Sequence, residues 1–227
     1  MKTIGLLVAV EIETVLQSDL KLLETIEVGK FKVYKYRLAN SELIVIHSGA
    51  GQTLAAAATE ILISLFKVEL IINFGIAGAL NEKLGLNKVG IVEKIVDYQY
   101  DLSQFDDREV GRHLKYPNVE IMTNSSLLKQ ALALEPQLVK VTCASGNKFV
   151  ASTKEKQEIE EKFNCDIIEM EAASIQLIAD MHAIPVLFIK GISDSLTGGV
   201  QQYEVMKEKA ASSCFRLLKY FLESDTF

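Results

Sequence analysis

Apolar residues in this chain gather into short unbroken runs and longer periodic ones, which alternate along its length. Unbroken runs occupy residues 3–10, 43–47, 70–74, 139–144, 167–168 and 186–192, and 90–98 is similar. Their length and β-branched content predict strands of the buried type. Residues 31–38 alternate and meet 43–47 across Ala39-Asn40-Ser41, as the arms of a hairpin would. Apolar spacing of the helical kind predicts helices over 53–66, 172–181 and about 203–222. Asn124-Ser125-Ser126 can cap a helix to about Leu134, and Ser152-Thr153 precedes a charged, exposed helix ending near Phe163.

Strands alternating with helices predict the α/β class: a three-layer α/β/α arrangement with a mixed central sheet. No repeat, low-complexity tract or Pro/Gly-rich linker divides the chain. Only Pro117, Pro136 and Pro185 punctuate it, so one domain is expected over residues 1–227. The least regular stretch, 101–117, is a charged insertion of the kind that forms lids or partner contacts.

Composition narrows the class of function. With 49% hydrophobic and 24% charged residues, a sizeable core is available. A net charge of −6 and four arginines give no basic stripe, which excludes a nucleic-acid partner. The apolar runs are too short to span a bilayer, and no signal peptide precedes the first strand-like run. Cys143, Cys165 and Cys214 are scattered and odd in number. They suit small buried hydrophobes in a reducing cytoplasm, not a disulfide framework.

Candidate chemistry sits at the ends of the strand-like runs. I-E-M-E places Glu169 and Glu171 after one run, and I-S-D-S places Asp194 after another. Ligand sites in open α/β sheets lie at that edge. Carboxylates there can hold sugar hydroxyls and move protons. V-A-V-E-I-E carries Glu11 and Glu13, which a solvated helix start would also explain. H-S-G-A-G-Q-T offers backbone N–H groups to an anion or sugar. It fails as a dinucleotide fingerprint, because Leu54 stands at the third small position and no acid ends the next strand. N-F-G-I-A-G-A-L is read as a tight strand exit, and S-G-N-K-F-V puts Phe149 just past a strand. His47, His113 and His182 lack zinc spacing, and there is no Walker loop or nucleophile elbow. No metal or cofactor is expected.

In this order the motifs resemble the nucleoside phosphorylase/nucleosidase superfamily, and most of all its 5′-methylthioadenosine/S-adenosylhomocysteine nucleosidases. The similarity spans nearly the whole chain, and E-M-E-A followed by I-S-D carries it most specifically. It implies a small-molecule purine nucleoside as ligand, a homodimer, and hydrolysis of an N-glycosidic bond through an oxocarbenium-like state. It implies that Asp194 protonates or hydrogen-bonds the purine N7 and that Glu13 activates water. Glu171, beside Glu169, would hold the ribose hydroxyls and Met170 the sugar face. Phe149 would stack on the base, the Val150 backbone would read its edge, and Ser193 would orient Asp194. Leu102 and Phe105 would reach across a dimer to an apolar tail pocket that Tyr203 helps to close.

The resemblance leaves hydrolase and phosphorylase to be separated. The glycine segments offer no cation, only Gln52 and Thr53, and Ile76 stands where a Ser is usual. A buried phosphate dianion without cationic partners is costly, so water is the favoured nucleophile. Lys190 replaces the usual Arg and Asn147 a common Asp, while Ala50 replaces a bulkier aliphatic. The alternatives are a phosphate-dependent phosphorylase, a nucleoside-binding protein with weak catalysis, and a nucleotide-dependent oxidoreductase.

Overall fold

The structure, a computed structural model, describes residues 2–224. Its first half contains β1 (Lys2–Val8), α1 (Ile12–Leu16), β2 (Lys21–Val28), β3 (Phe31–Arg37) and β4 (Ser41–His47). These lead into α2 (Gln52–Glu60), which continues as a π-helical turn at Ile61–Leu65, and then β5 (Leu70–Ala79) and β6 (Val89–Asp97). The second half contains α3 (Ser103–Asp106), β7 (Ile121–Met122), α4 (Ser125–Leu134), β8 (Val139–Ser145) and α5 (Thr153–Phe163). The chain finishes with β9 (Ile167–Glu169), α6 (Ala172–Met181), β10 (Val186–Asp194) and α7 (Val200–Glu223).

All strands share one mixed sheet in the order β10-β6-β8-β9-β5-β1-β4-β3-β2, with β7 beside β6. β10 also pairs in parallel with β5, so the sheet closes on itself through β5, β10, β6, β8 and β9. The remaining strands form an open wing. Every residue of β10 is buried, because helices cover both faces of the sheet. One core lies under α2 and α6, where Ala55, Ala58, Leu62 and Ile175 meet Leu7, Ile71 and Phe188. On the opposite face Val15, Leu128, Cys214 and Leu218 from α1, α4 and α7 meet Leu6, Phe74 and Ile189. These are the three layers that the alternation predicts.

Four local expectations are corrected. β1 ends at Val8, two residues short of its apolar run, and the chain turns before Glu11. β2, for which the pattern gives no strand signal, has no fully buried residue, pairs with β3 at the sheet edge and packs Ile26 and Val28 against the core. N-F-G-I-A-G-A is no strand exit but the second half of the ten-residue β5. Its glycines answer to neighbours, not to a turn: a Cβ at Gly78 would stand 2.9 Å from Asp194 Oδ2. Finally α5 is not an exposed helix throughout, since Lys156 and Ile159 are buried.

Candidate active site

The parallel strands β1, β5 and β10 end along one edge of the sheet, where β9 also delivers its acids. A cavity of about 270 Å³ opens there. This is near the lower bound of about 300 Å³ for small-molecule sites. Glu11, Ile76, Phe149, Glu169, Met170, Glu171, Lys190, Ser193, Asp194 and Tyr203 all contribute to its lining. Phe149 and Tyr203 meet edge to face with ring centroids 5.2 Å apart. Val150 lines a small adjoining recess with Phe149, Met170 and Asp194.

The N-terminus of α6 organises the acids. Glu169 accepts hydrogen bonds from the Glu171 and Ala172 N–H groups at 3.0–3.1 Å, which partners otherwise open helix donors. Lys190 Nζ donates to Glu169 Oε2 at 2.8 Å, both side chains being almost fully buried. Burial alone would push the Glu169 carboxyl up, but the adjacent ammonium and these N–H donors hold it below the usual range. Burial likewise opposes the Lys190 charge, and Glu169 and Glu171 outweigh it, so the ammonium titrates above its ordinary value. Glu171 has no such cation of its own. Burial, reinforced by the Glu169 charge, pushes its carboxyl up to about 7.

Gly51, whose φ of 99° suits glycine, donates its N–H to Glu171 Oε1 at 2.8 Å. The Gln52 N–H goes to Asn147 Oδ1. The glycine segment therefore cradles an anion as its sequence suggests, but that anion is the protein's own Glu171. On the opposite side of the cavity Ser193 Oγ donates to Asp194 Oδ1 at 2.7 Å, and the buried Lys156 Nζ donates to Oδ2 at 2.5 Å.

Glu13 stands elsewhere. It is exposed on the first turn of α1 and absent from the cavity lining, whereas Glu11 faces inward. The Ile76 N–H donates to Glu11 Oε1 at 3.3 Å. Burial raises the Glu11 carboxyl, opposed by backbone N–H donors and by Lys190. The reason is the early end of β1. With the bend at Ala9 and Val10, Glu11 becomes the residue before α1, and Ile12 and Val15 take its inner face, leaving Glu13 outside. Leu102 and Phe105, expected to reach a partner's pocket, lie off the cavity of their own chain, which leaves that expectation untouched; Phe105 is 87% exposed on α3. The other expected residues, Ile76, Phe149, Val150, Glu169, Met170, Glu171, Ser193, Asp194 and Tyr203, are brought together.

Two site residues were not singled out from the sequence. Glu11 was read beside Glu13 as a helix-start acid. Lys156 was hidden in a charged helix, although it lies three and seven residues before Ile159 and Phe163, on their face.

The profile of the phosphorylase superfamily matches residues 3–223. The chain belongs to the phosphorylase superfamily. Among members of this superfamily, the 5′-methylthioadenosine/S-adenosylhomocysteine nucleosidase of Staphylococcus aureus is 32% identical over 217 residues, covering 92% of this chain and 94% of the relative. A futalosine hydrolase mutant of Helicobacter pylori superposes with a TM-score of 0.93 at 26% identity, over 99% of this chain and all of the other. The methylthioadenosine/S-adenosylhomocysteine nucleosidase of H. pylori, solved with a pyrrolo-pyrimidine pyrrolidinol bound, gives 0.92 at 27% identity, with 98% of each chain covered.

Proposed function

We propose that this superfamily member is an N-glycosidase that hydrolyses 5′-thio-substituted purine nucleosides, such as methylthioadenosine and S-adenosylhomocysteine, to free adenine and the thioribose. The relatives named above support the substrate class. The observation that carries the choice of water over phosphate is the charge of the cavity. Its lining holds four carboxyl groups, Glu11, Glu169, Glu171 and Asp194, and a single cation, Lys190, which is already paired. The Gly51 N–H, a natural anion ligand, is already given to Glu171. A phosphate dianion would meet net repulsion and no free donor pair.

The residues divide the reaction between them. Glu171, when ionised, accepts the ribose hydroxyls, and Met170 packs against the sugar. Phe149 and Tyr203 enclose the base, whose edge meets the Val150 backbone. Glu11 takes a proton from the water that attacks C1′, in the role the family resemblance gives Glu13. The Ile76 N–H fixes that carboxyl, so a side-chain hydroxyl at position 76 is not needed to hold the base itself. Asp194, oriented by Ser193, delivers a proton to N7 so that the purine leaves neutral.

The working form is proposed to be a homodimer in the cytoplasm. Phe105, Leu54 and Leu65 are exposed apolar residues that a second copy would cover. Three free, buried cysteines suit a reducing compartment. Among the described residues no helix is long and apolar enough to cross a membrane. The test is a nucleoside panel, including methylthioadenosine, S-adenosylhomocysteine and futalosine, assayed for base release in phosphate-free buffer. Adenine release from the thio-nucleosides is expected. Release that needs added phosphate would make the protein a phosphorylase, and binding without any release would make it a nucleoside-binding protein.

A further inference from the structure

We propose that Lys156 is a positioning residue that supplies, through Asp194, the proton which Asp194 delivers to the leaving purine. The proposal rests on the hydrolase reading above and deepens it. Lys156 belongs to the inner face of α5, in line with Ile159 and Phe163, and its side chain has no exposure. An apolar residue would fill this position at lower cost, because a buried ammonium is tolerated only when paired and hydrogen-bonded. Both conditions are met at the site. Nζ donates to Asp194 Oδ2 at 2.5 Å and to the Ser195 carbonyl oxygen at 2.8 Å. The second carboxylate oxygen, Oδ1, accepts from Ser193 Oγ. Gly78, opposite Asp194 in the β5–β10 register, leaves the space that a Cβ would take from Oδ2. The carboxylate thus stands between an ammonium on one side and the cavity on the other.

This arrangement places a proton one hydrogen bond behind the group that faces the base. As the C1′–N9 bond breaks, its electron pair passes to the purine and N7 becomes basic. One proton then moves in two steps: Nζ–H breaks as Oδ2–H forms, and Oδ2–H breaks as N7–H forms. Lys156 is left as a neutral amine and Asp194 as a carboxylate. Once the purine has left, the amine regains a proton by way of the Asp194 carboxyl, which faces the cavity and its solvent, and solvent also takes the proton that attacking water gave to Glu11, so the site returns to its resting state. Asp194 need not itself store a proton between turnovers.

The charged and titratable groups around the pair come from four directions. Tyr203 on α7 lines the cavity with Asp194, Glu169 on β9 is paired with Lys190, and Lys148 beside the base recess is paired with Glu155. Glu11 lies across the cavity. Only Lys156 bonds the Asp194 carboxylate directly as a cation among the described residues.

Lys156→Met keeps most of the side-chain length and removes the ammonium; Lys156→Gln is the second variant should Met misfold. The rate of adenine release, kcat, is followed for wild type and variant from about pH 5 to pH 9, with thermal melts as a control for folding. A carboxyl alone gives up its proton at far lower pH than an ammonium does. The variant is therefore expected to lose at least about tenfold in kcat at alkaline pH and to approach wild type at the acid end. In an Asp194→Asn background, Lys156→Met should add no further loss, because the two act as one unit. A loss of the same factor at every pH, no loss, or full additivity with Asp194→Asn would overturn the proposal and leave Lys156 as a structural ion pair. Failure of the hydrolase reading is visible separately: wild type itself would release no base without phosphate.

Discussion

Glu11 and Glu13 are two residues apart and end in opposite environments, one against the cavity and one in solvent. Replacing the inward acid should remove the base that activates water. Glu11→Gln is expected to lower kcat by about 10²-fold or more, whereas Glu13→Gln should stay within about twofold of wild type. Steady-state kinetics of the two variants decides between the residues, and the reverse ranking would restore Glu13. Glu171 titrates near neutrality, to about 7, because it is buried beside Glu169. In the proposed role of holding the ribose hydroxyls its ionised form is the stronger acceptor, so KM is expected to rise as pH falls below about 7. The sign for stability is opposite. A carboxyl whose folded-state pKa is raised contributes stability at low pH that is lost as pH rises through about 7. Glu171→Gln should therefore melt a few degrees above wild type near pH 8, with the gap closing near pH 5, although it binds nucleoside poorly. Much at this scale was legible: Glu171, Met170 and Asp194 sit where their motifs imply. Glu11 and Lys156 were not, because identity in a motif does not fix which way a side chain faces. That is set by where β1 stops and by which three residues of α5 share a face.

At the scale of elements, β5 illustrates how packing overrides a local signal. N-F-G-I-A-G-A has the composition of a turn, and without partners it would read as one. It remains a strand because β10 and β9 hydrogen-bond to its second half. Glycine is required at position 78 since any side chain there presses on the Asp194 carboxylate, 2.9 Å from the place a Cβ would occupy. Gly78→Ala should displace that carboxylate from Lys156 or from the base. A displacement of that order costs about ten- to a hundredfold in kcat with a smaller change in melting temperature. The ratio of kinetic to thermal effect is the measurement, and an active Gly78→Ala enzyme would mean the site tolerates the shift. Strands β1, β3, β4, β6, β8, β9 and β10, α4 with its Asn124 cap and α6 were legible because period and capping residues agreed there. β2 was not, because an edge strand that packs only Ile26 and Val28 against the core carries too short an apolar stripe to stand out.

The molecule as a whole closes part of its sheet into a ring, with β10 bonded to both β5 and β6. Alternation of strands and helices predicts the layers but is silent on such closure, which depends on long-range pairing between residues far apart in sequence. Closure brings the end of β10 over β9 and β5, and so assembles Asp194, Glu169 and Glu171 around one cavity. Outside that ring, α2 and α3 expose Leu54 and Phe105. If these residues meet a second copy, Phe105→Asp should shift the protein from dimer to monomer in sedimentation and weaken nucleoside binding. A monomeric wild type would contradict this part of the account. In the proposed reaction water, not phosphate, attacks C1′ in a cavity of carboxylates. This is tested most directly by the mass of the sugar product formed from methylthioadenosine with inorganic phosphate in excess. Free methylthioribose is predicted; a methylthioribose 1-phosphate would contradict it.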